Sequence, residues 1–176
     1  MKFNLSSPAK FQRISEIIYP WISYASICFF VIGMSFAFFF SPPDYLQGET
    51  VRIMYIHVPC AWLSLQIYAI MAVCSFISLV YKHTLADIIS RSCAPIGACF
   101  TIITLITGSI WGKPTWGTWW VWDARLTSEL ILLFIYLAHS IVSNSYDDIA
   151  KGDKNAAILT LIGIINLPII KWSVDW

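Results

Sequence analysis

Residues 94–123 read APIGACFTIITLITGSIWGKPTWGTWWVWD. The first part, 94–110, carries no charged side chain and is long enough to cross the roughly 30 Å apolar layer of a bilayer as a helix. The second part, 111–123, holds five of the nine tryptophans in the chain. Gly112, Pro114 and Gly117 predict a break in regular helix at its front. Trp116, Trp119 and Trp120 stand at i, i+3 and i+4, so a short helical turn at its back would put three indoles on one face. Asp123 is placed to cap the helix that follows, because its carboxylate accepts from free backbone N–H groups. The pattern predicts a span that runs into a stiff, flat aromatic wall edged with N–H donors. An aromatic belt at the membrane–water interface is the plainer reading. It accounts for one or two tryptophans at a helix end and poorly for Trp111, Trp116, Trp119, Trp120 and Trp122 together.

The rest of the chain extends the same theme. Of 176 residues, 58% are hydrophobic and 12% charged, against about 25% charged in a soluble domain. Mean hydropathy is +0.70. These values predict an all-α, polytopic membrane helix bundle, with residues 1–176 forming one domain. Apolar runs place spans at about 19–40, 57–81, 94–110, 125–142 and 156–170, five in all. Residues 1–18 read as a polar lead, 82–91 as a polar turn and 144–155 as the most polar stretch. Pro59 suits the first turn of the second span. The first apolar run is too long for a cleavable signal peptide and lacks a small-residue cleavage site. A net charge of +1 gives no reason to expect nucleic acid. Five cysteines form no C-x-x-C pair, and most sit in apolar runs as small hydrophobes. No hydrolase array, phosphate loop or zinc pattern is present.

Charge counts orient the spans. The N-terminus and the loops after spans two and four hold Lys2, Lys10, Arg13, Lys82, Arg91, Lys151 and Lys154; the other side holds Arg52, Lys113, Arg125 and Lys171. Seven against four predicts a cytoplasmic N-terminus, with the tryptophan loop and the C-terminal tail outside. Of the three histidines, only His57 then lies level with the tryptophans. His83 falls in a cytoplasmic turn, and His139 lies fourteen residues into span four, about 21 Å deeper. A neutral imidazole beside an apolar wall suits an iron porphyrin, which needs an axial nitrogen and an apolar slot. The alternative for His57 is an interfacial hydrogen bond. Arg52, Lys113 and Arg125 are candidates to pair with porphyrin carboxylates, or else interface residues that snorkel. Asp123 and Arg125 are placed to pair with each other. Glu129, an intramembrane acid, is a candidate functional group or a partner for a neighbouring polar group.

At these residues the sequence resembles a known family. Residues 111–130, WGKPTWGTWWVWDARLTSEL, resemble the WWD signature of the haem-handling proteins of cytochrome c maturation, the haem exporter protein C (CcmC) type in particular. Residues 53–62, IMYIHVPCAW, resemble the segment with that family's first haem-ligand histidine, and His57 stands at that position. Residues 166–176, NLPIIKWSVDW, resemble the run before its second histidine. The resemblance implies a bacterial inner-membrane protein, or a mitochondrial inner-membrane one, with six spans. It implies haem b as bound cargo at the periplasmic face, held by His57, a second histidine and the tryptophan loop. It further implies delivery to the haem chaperone CcmE, with CcmD and the CcmA/CcmB ABC transporter as partners and membrane lipid around the spans. Haem being cargo, no enzyme activity is expected. The sequence stops at Trp176, inside the third resembling run, so one outward histidine and a five-coordinate haem are expected of residues 1–176 alone. Two alternatives stand beside delivery: a subunit of a cytochrome c haem lyase with the same tryptophan signature, and a fragment of a split gene. A membrane cytochrome with haem fixed between His57 and His139 is disfavoured by their difference in depth.

Overall fold

The computed structural model describes residues 7–173, so the Val174, Asp175 and Trp176 end of the third resembling run lies outside the described residues, as does Lys2 of the charge count. The chain divides into two compact units, Met1–Arg52 and Ile53–Trp176. Among the described residues there is no β-strand, and five helical stretches are long and apolar enough to cross a membrane. The expected polytopic helical architecture is therefore the observed one.

In the first unit, α1 spans Pro8–Ser35 and passes into a wide π-turn, Phe36–Phe40, closed by the Ser41 amide on the Phe36 carbonyl at 3.0 Å. The expected polar lead is thus mostly helix, with Pro8 at its start, where a missing N–H is harmless. Asp44 then ties a tight turn by accepting from the amides of Leu46 and Gln47, both at 2.8 Å. A short 3-10 helix, Glu49–Ile53, follows.

The second unit holds α2 (Met54–Tyr81), α3 (Thr84–Trp116), α4 (Ala124–Asn144), α5 (Ile149–Gly163) and α6 (Asn166–Trp172). Pro59 lies inside α2, not in its first turn, because the helix begins at Met54. The polar turn expected over 82–91 shrinks to Lys82 and His83. Lys82 ends α2 in the left-handed region at φ 50°, and α3 starts at Thr84. Polar residues in this stretch stay helical because their side chains find partners: Ser78 donates to Asp87, and Arg91 pairs with Asp153 at 2.6 Å. The fifth span begins at Ile149, earlier than 156, and is broken at Ile164 and Ile165 before α6.

Two tyrosines organise the core of this unit. Tyr68 of α2 and Tyr136 of α4 are fully buried and meet edge to face, with centroids 5.4 Å apart. Each ring lies against a glycine: a Cβ at Gly97 would come 2.1 Å from Tyr136 Cζ, and one at Gly163 would come 2.3 Å from the Tyr68 hydroxyl. Each hydroxyl donates to a backbone carbonyl, Tyr68 to Thr160 at 2.8 Å and Tyr136 to Ser64 at 2.6 Å. In a bilayer such groups have no water to turn to, so small residues and cross-helix hydrogen bonds hold helices together. Met71, Ala94, Ala98, Leu132 and Ile170 fill the space around the pair.

Candidate functional site

α3 carries the tryptophan segment further as helix than its glycines and proline predict. It runs through Gly112 and Pro114 to Trp116 and ends at Gly117, whose φ of 75° suits a residue without Cβ. The Gly117 amide closes the end on the Lys113 carbonyl at 3.0 Å, and Lys113 Nζ donates to the Gly117 carbonyl at 3.0 Å. The expected break at the front is therefore absent. Inside an apolar layer the helix keeps its backbone groups paired, so it continues to the first residue that favours a left-handed turn. Gly112 serves packing: Trp116 folds back over it, and a Cβ there would lie 2.9 Å from Trp116 Cε3.

The short helix expected at the back is absent too. Residues 117–123 are bends and extended chain, so Trp116, Trp119 and Trp120 do not share a helical face. The indoles form two edge-to-face pairs instead: Trp111 with Trp116 at 5.5 Å, and Trp120 with Trp122 at 5.4 Å. The wall is ridged, not flat, as the ring quadrupoles favour. Trp119 and Trp122 are exposed, at 57% and 76%, whereas Trp120 Nε1 is buried without a partner. Cations border the segment, with Lys113 Nζ 5.8 Å from the Trp119 centroid and the Arg125 guanidinium 5.6 Å from that of Trp116. Asp123 caps α4 as expected, accepting from the Leu126 amide at 2.7 Å, and it pairs with Arg125 at 3.3 Å.

His57 sits one turn along α3 from this cover. Its Nδ1 is 3.0 Å from Thr107 Oγ1, and its ring lies against Gly108, where a Cβ would meet His57 Cε1 at 3.1 Å and Leu126 Cδ2 at 3.9 Å. Gly108 and Gly112 are four residues apart, about 6 Å along the helix, so His57 and Trp116 occupy successive turns of one α3 face. The Thr107 hydroxyl has one proton, and it points to the carbonyls of Ile103 at 2.6 Å and Thr104 at 3.2 Å. Towards His57 it can only accept, so Nδ1 carries the hydrogen and Nε2 keeps its lone pair. That nitrogen makes no hydrogen bond among the described residues. A metal-ligating histidine has this arrangement, with one ring N–H fixed by a second group.

Other expected residues stand elsewhere. Arg52 belongs to the first unit, where it pairs with Glu49 at 2.9 Å and donates to the carbonyls of Phe38 and Ser41. His139 is buried in the second unit, with Nδ1 2.8 Å from Thr160 Oγ1, and His83 stands at the N-cap position of α3 without a side-chain capping bond. Glu129 is buried and accepts from Ser64 at 2.9 Å, the neighbouring-partner role. Sequence reasoning missed Thr107, Gly108 and Leu126. The small residues at 108 and 112 were the available signal, since they allow close approach to a helix backbone.

A family model described as CcmC, Heme exporter protein C, matches residues 1–176. The chain belongs to the haem exporter protein C family. It is 49% identical over 173 residues to Heme exporter protein C of Escherichia coli strain K12, covering 98% of this chain and 71% of that protein. It is 47% identical over 173 residues to the Bradyrhizobium diazoefficiens protein of the same name, covering 98% and 65%. It is also 50% identical over 151 residues to a cytochrome c biosynthesis ccmC-like mitochondrial protein of Marchantia polymorpha, covering 85% and 64%. The chain thus spans roughly two thirds of the length of these relatives. Membership in the haem exporter protein C family gives the pairing of His57 with the tryptophan segment a chemical context.

Proposed function

We propose that this chain binds haem at the end of its helical bundle that carries the tryptophan segment, and hands it on for c-type cytochrome biogenesis. One observation carries the reading: His57, oriented by Thr107, presents Nε2 on the α3 face that Trp116 covers one turn away. Haem is cargo in this reading, and the chain works as a transport component without catalysis. His57 is the axial ligand, and Trp111, Trp116, Trp119, Trp120 and Trp122 give the macrocycle its apolar seat. Asp123 holds the entry of α4, which positions Arg125 and Leu126. Lys113 and Arg125 are exposed enough to turn to the haem propionates; their present partners, a carbonyl and a part-exposed carboxylate, are weak competitors. The names of the relatives support haem as the cargo; haem b as its form, CcmE as recipient and CcmD and CcmA/CcmB as co-workers extend the reading along the family resemblance of the sequence. The lysine and arginine distribution supports a cytoplasmic N-terminus and a haem site on the opposite, periplasmic side; an inner-membrane location extends the reading along the family resemblance.

Purified protein titrated with haem tests this. His57→Ala should weaken or shift the Soret band, while His83→Ala and His139→Ala leave it unchanged. A band lost in His139→Ala and kept in His57→Ala would overturn the assignment.

A further inference from the structure

The end of the second unit away from the tryptophan segment carries a groove of about 890 Å³. It opens between the last turn of α2, the first turns of α3 and the start of α5. Its two acids are already occupied. Asp87 accepts from Ser78, and Asp153 accepts from Arg91 Nη2 at 2.6 Å and Nε at 3.1 Å. Arg91 also donates to the Ser143 carbonyl, so it is fixed. Lys82 and Lys154 remain, both exposed and without an ion pair among the described residues. The Arg91–Asp153 pair cancels, and Asp87, bonded only to a neutral hydroxyl, keeps its charge, so two free lysines against one carboxylate leave the groove net cationic. Its wall is apolar, with Leu79 beside Ile88 and Ile149, which are 47% and 63% exposed.

Position narrows the occupant further. Lys82 and His83 alone join α2 to α3, and Asp148 caps α5, so the groove opens where three spans leave the apolar layer. That is headgroup depth. A soluble anion would use the lysines and leave the apolar wall wet. A molecule with an anionic head and an apolar tail uses both. We propose that this groove is a binding site for an anionic phospholipid, its phosphate between Lys82 and Lys154 and an acyl chain along Ile88 and Ile149. Basic pockets between spans bind acidic lipid headgroups by this combination of charge and depth.

Native mass spectrometry of the full chain with phosphatidylglycerol and phosphatidylcholine tests the site. Wild type should retain phosphatidylglycerol preferentially. Each lysine near a lipid surface is worth on the order of five-fold in binding, so Lys82→Gln with Lys154→Gln should cut the preference ~25-fold. Lys10→Gln with Arg13→Gln removes the same charge from α1 and should leave it intact. Circular dichroism and haem affinity of the groove variant should match wild type. An unchanged preference in the groove variant overturns the proposal, as does an equal loss in the α1 variant, which would mean bulk charge without a site. Displacement of the lipid by equimolar haem, blocked by the same two substitutions, would reassign the groove to porphyrin carboxylates.

Discussion

Replacing Thr107 by Val isolates the device that orients His57. The two side chains have the same branching, so helix α3 keeps its packing. The lost hydroxyl made only back-bonds to Ile103 and Thr104 and the contact with His57 Nδ1 at 3.0 Å. In the variant the ring loses the Thr107 acceptor and keeps only the Thr104 carbonyl nearby, so it turns more freely and is a weaker base. A net hydrogen bond is worth about 1 kcal/mol. For a histidine that ligates a metal, the loss of its second partner costs ~10–100-fold in affinity, or about 1.4–2.8 kcal/mol. Haem titration followed at the Soret band should therefore show binding weakened by ~10–100-fold, with helicity unchanged. Resonance Raman spectra of the ferrous protein should show a lowered iron–histidine stretch, because a less firmly bonded imidazole donates less charge to iron. Thr107→Ser restores the acceptor and should restore both readings. Wild-type affinity and stretch in Thr107→Val would refute the reasoning, and so would equal damage in Thr107→Ser.

Gly97→Ala should destabilise the bundle strongly, since its Cβ would lie 2.1 Å from the Tyr136 ring in a fully packed core. Thermal denaturation in detergent should show a loss of roughly 1–3 kcal/mol or more. Trp119→Ala and Trp122→Ala remove exposed indoles, so the fold should hold while haem retention drops. If haem covers about half of an indole's ~200 Å², the loss is ~2.5 kcal/mol per ring, seen as faster haem transfer to apomyoglobin. Reporter fusions after Lys113 and after Asp148 should report opposite sides of the membrane, with the Lys113 fusion outside. A cytoplasmic signal there would reverse the orientation and place the haem site on the other face.

Sequence alone determined the class of the molecule and most of its elements. Long, mostly apolar runs have few folded solutions in a bilayer, and each became helical here. Sequence also placed the Asp123 cap and its pairing with Arg125, because both act within three residues. Where residues answer to distant partners, the local reading failed. Gly112 and Pro114 read as breakers, yet the helix passes through them, and Gly112 is small because Trp116 lies on it. The polar residues of 82–91 read as a turn, yet from Thr84 on they are helical, with Arg91 received by Asp153 and Ser143 on other elements. The flat wall of indoles became edge-to-face pairs, since ring orientation depends on neighbours that spacing does not supply. His57 could be selected from sequence by its level in the membrane. Only the packing of α2 on α3 decided that Thr107 holds its Nδ1 and leaves Nε2 the lone pair, because a hydrogen bond across fifty residues is set by helix register, which no local pattern encodes.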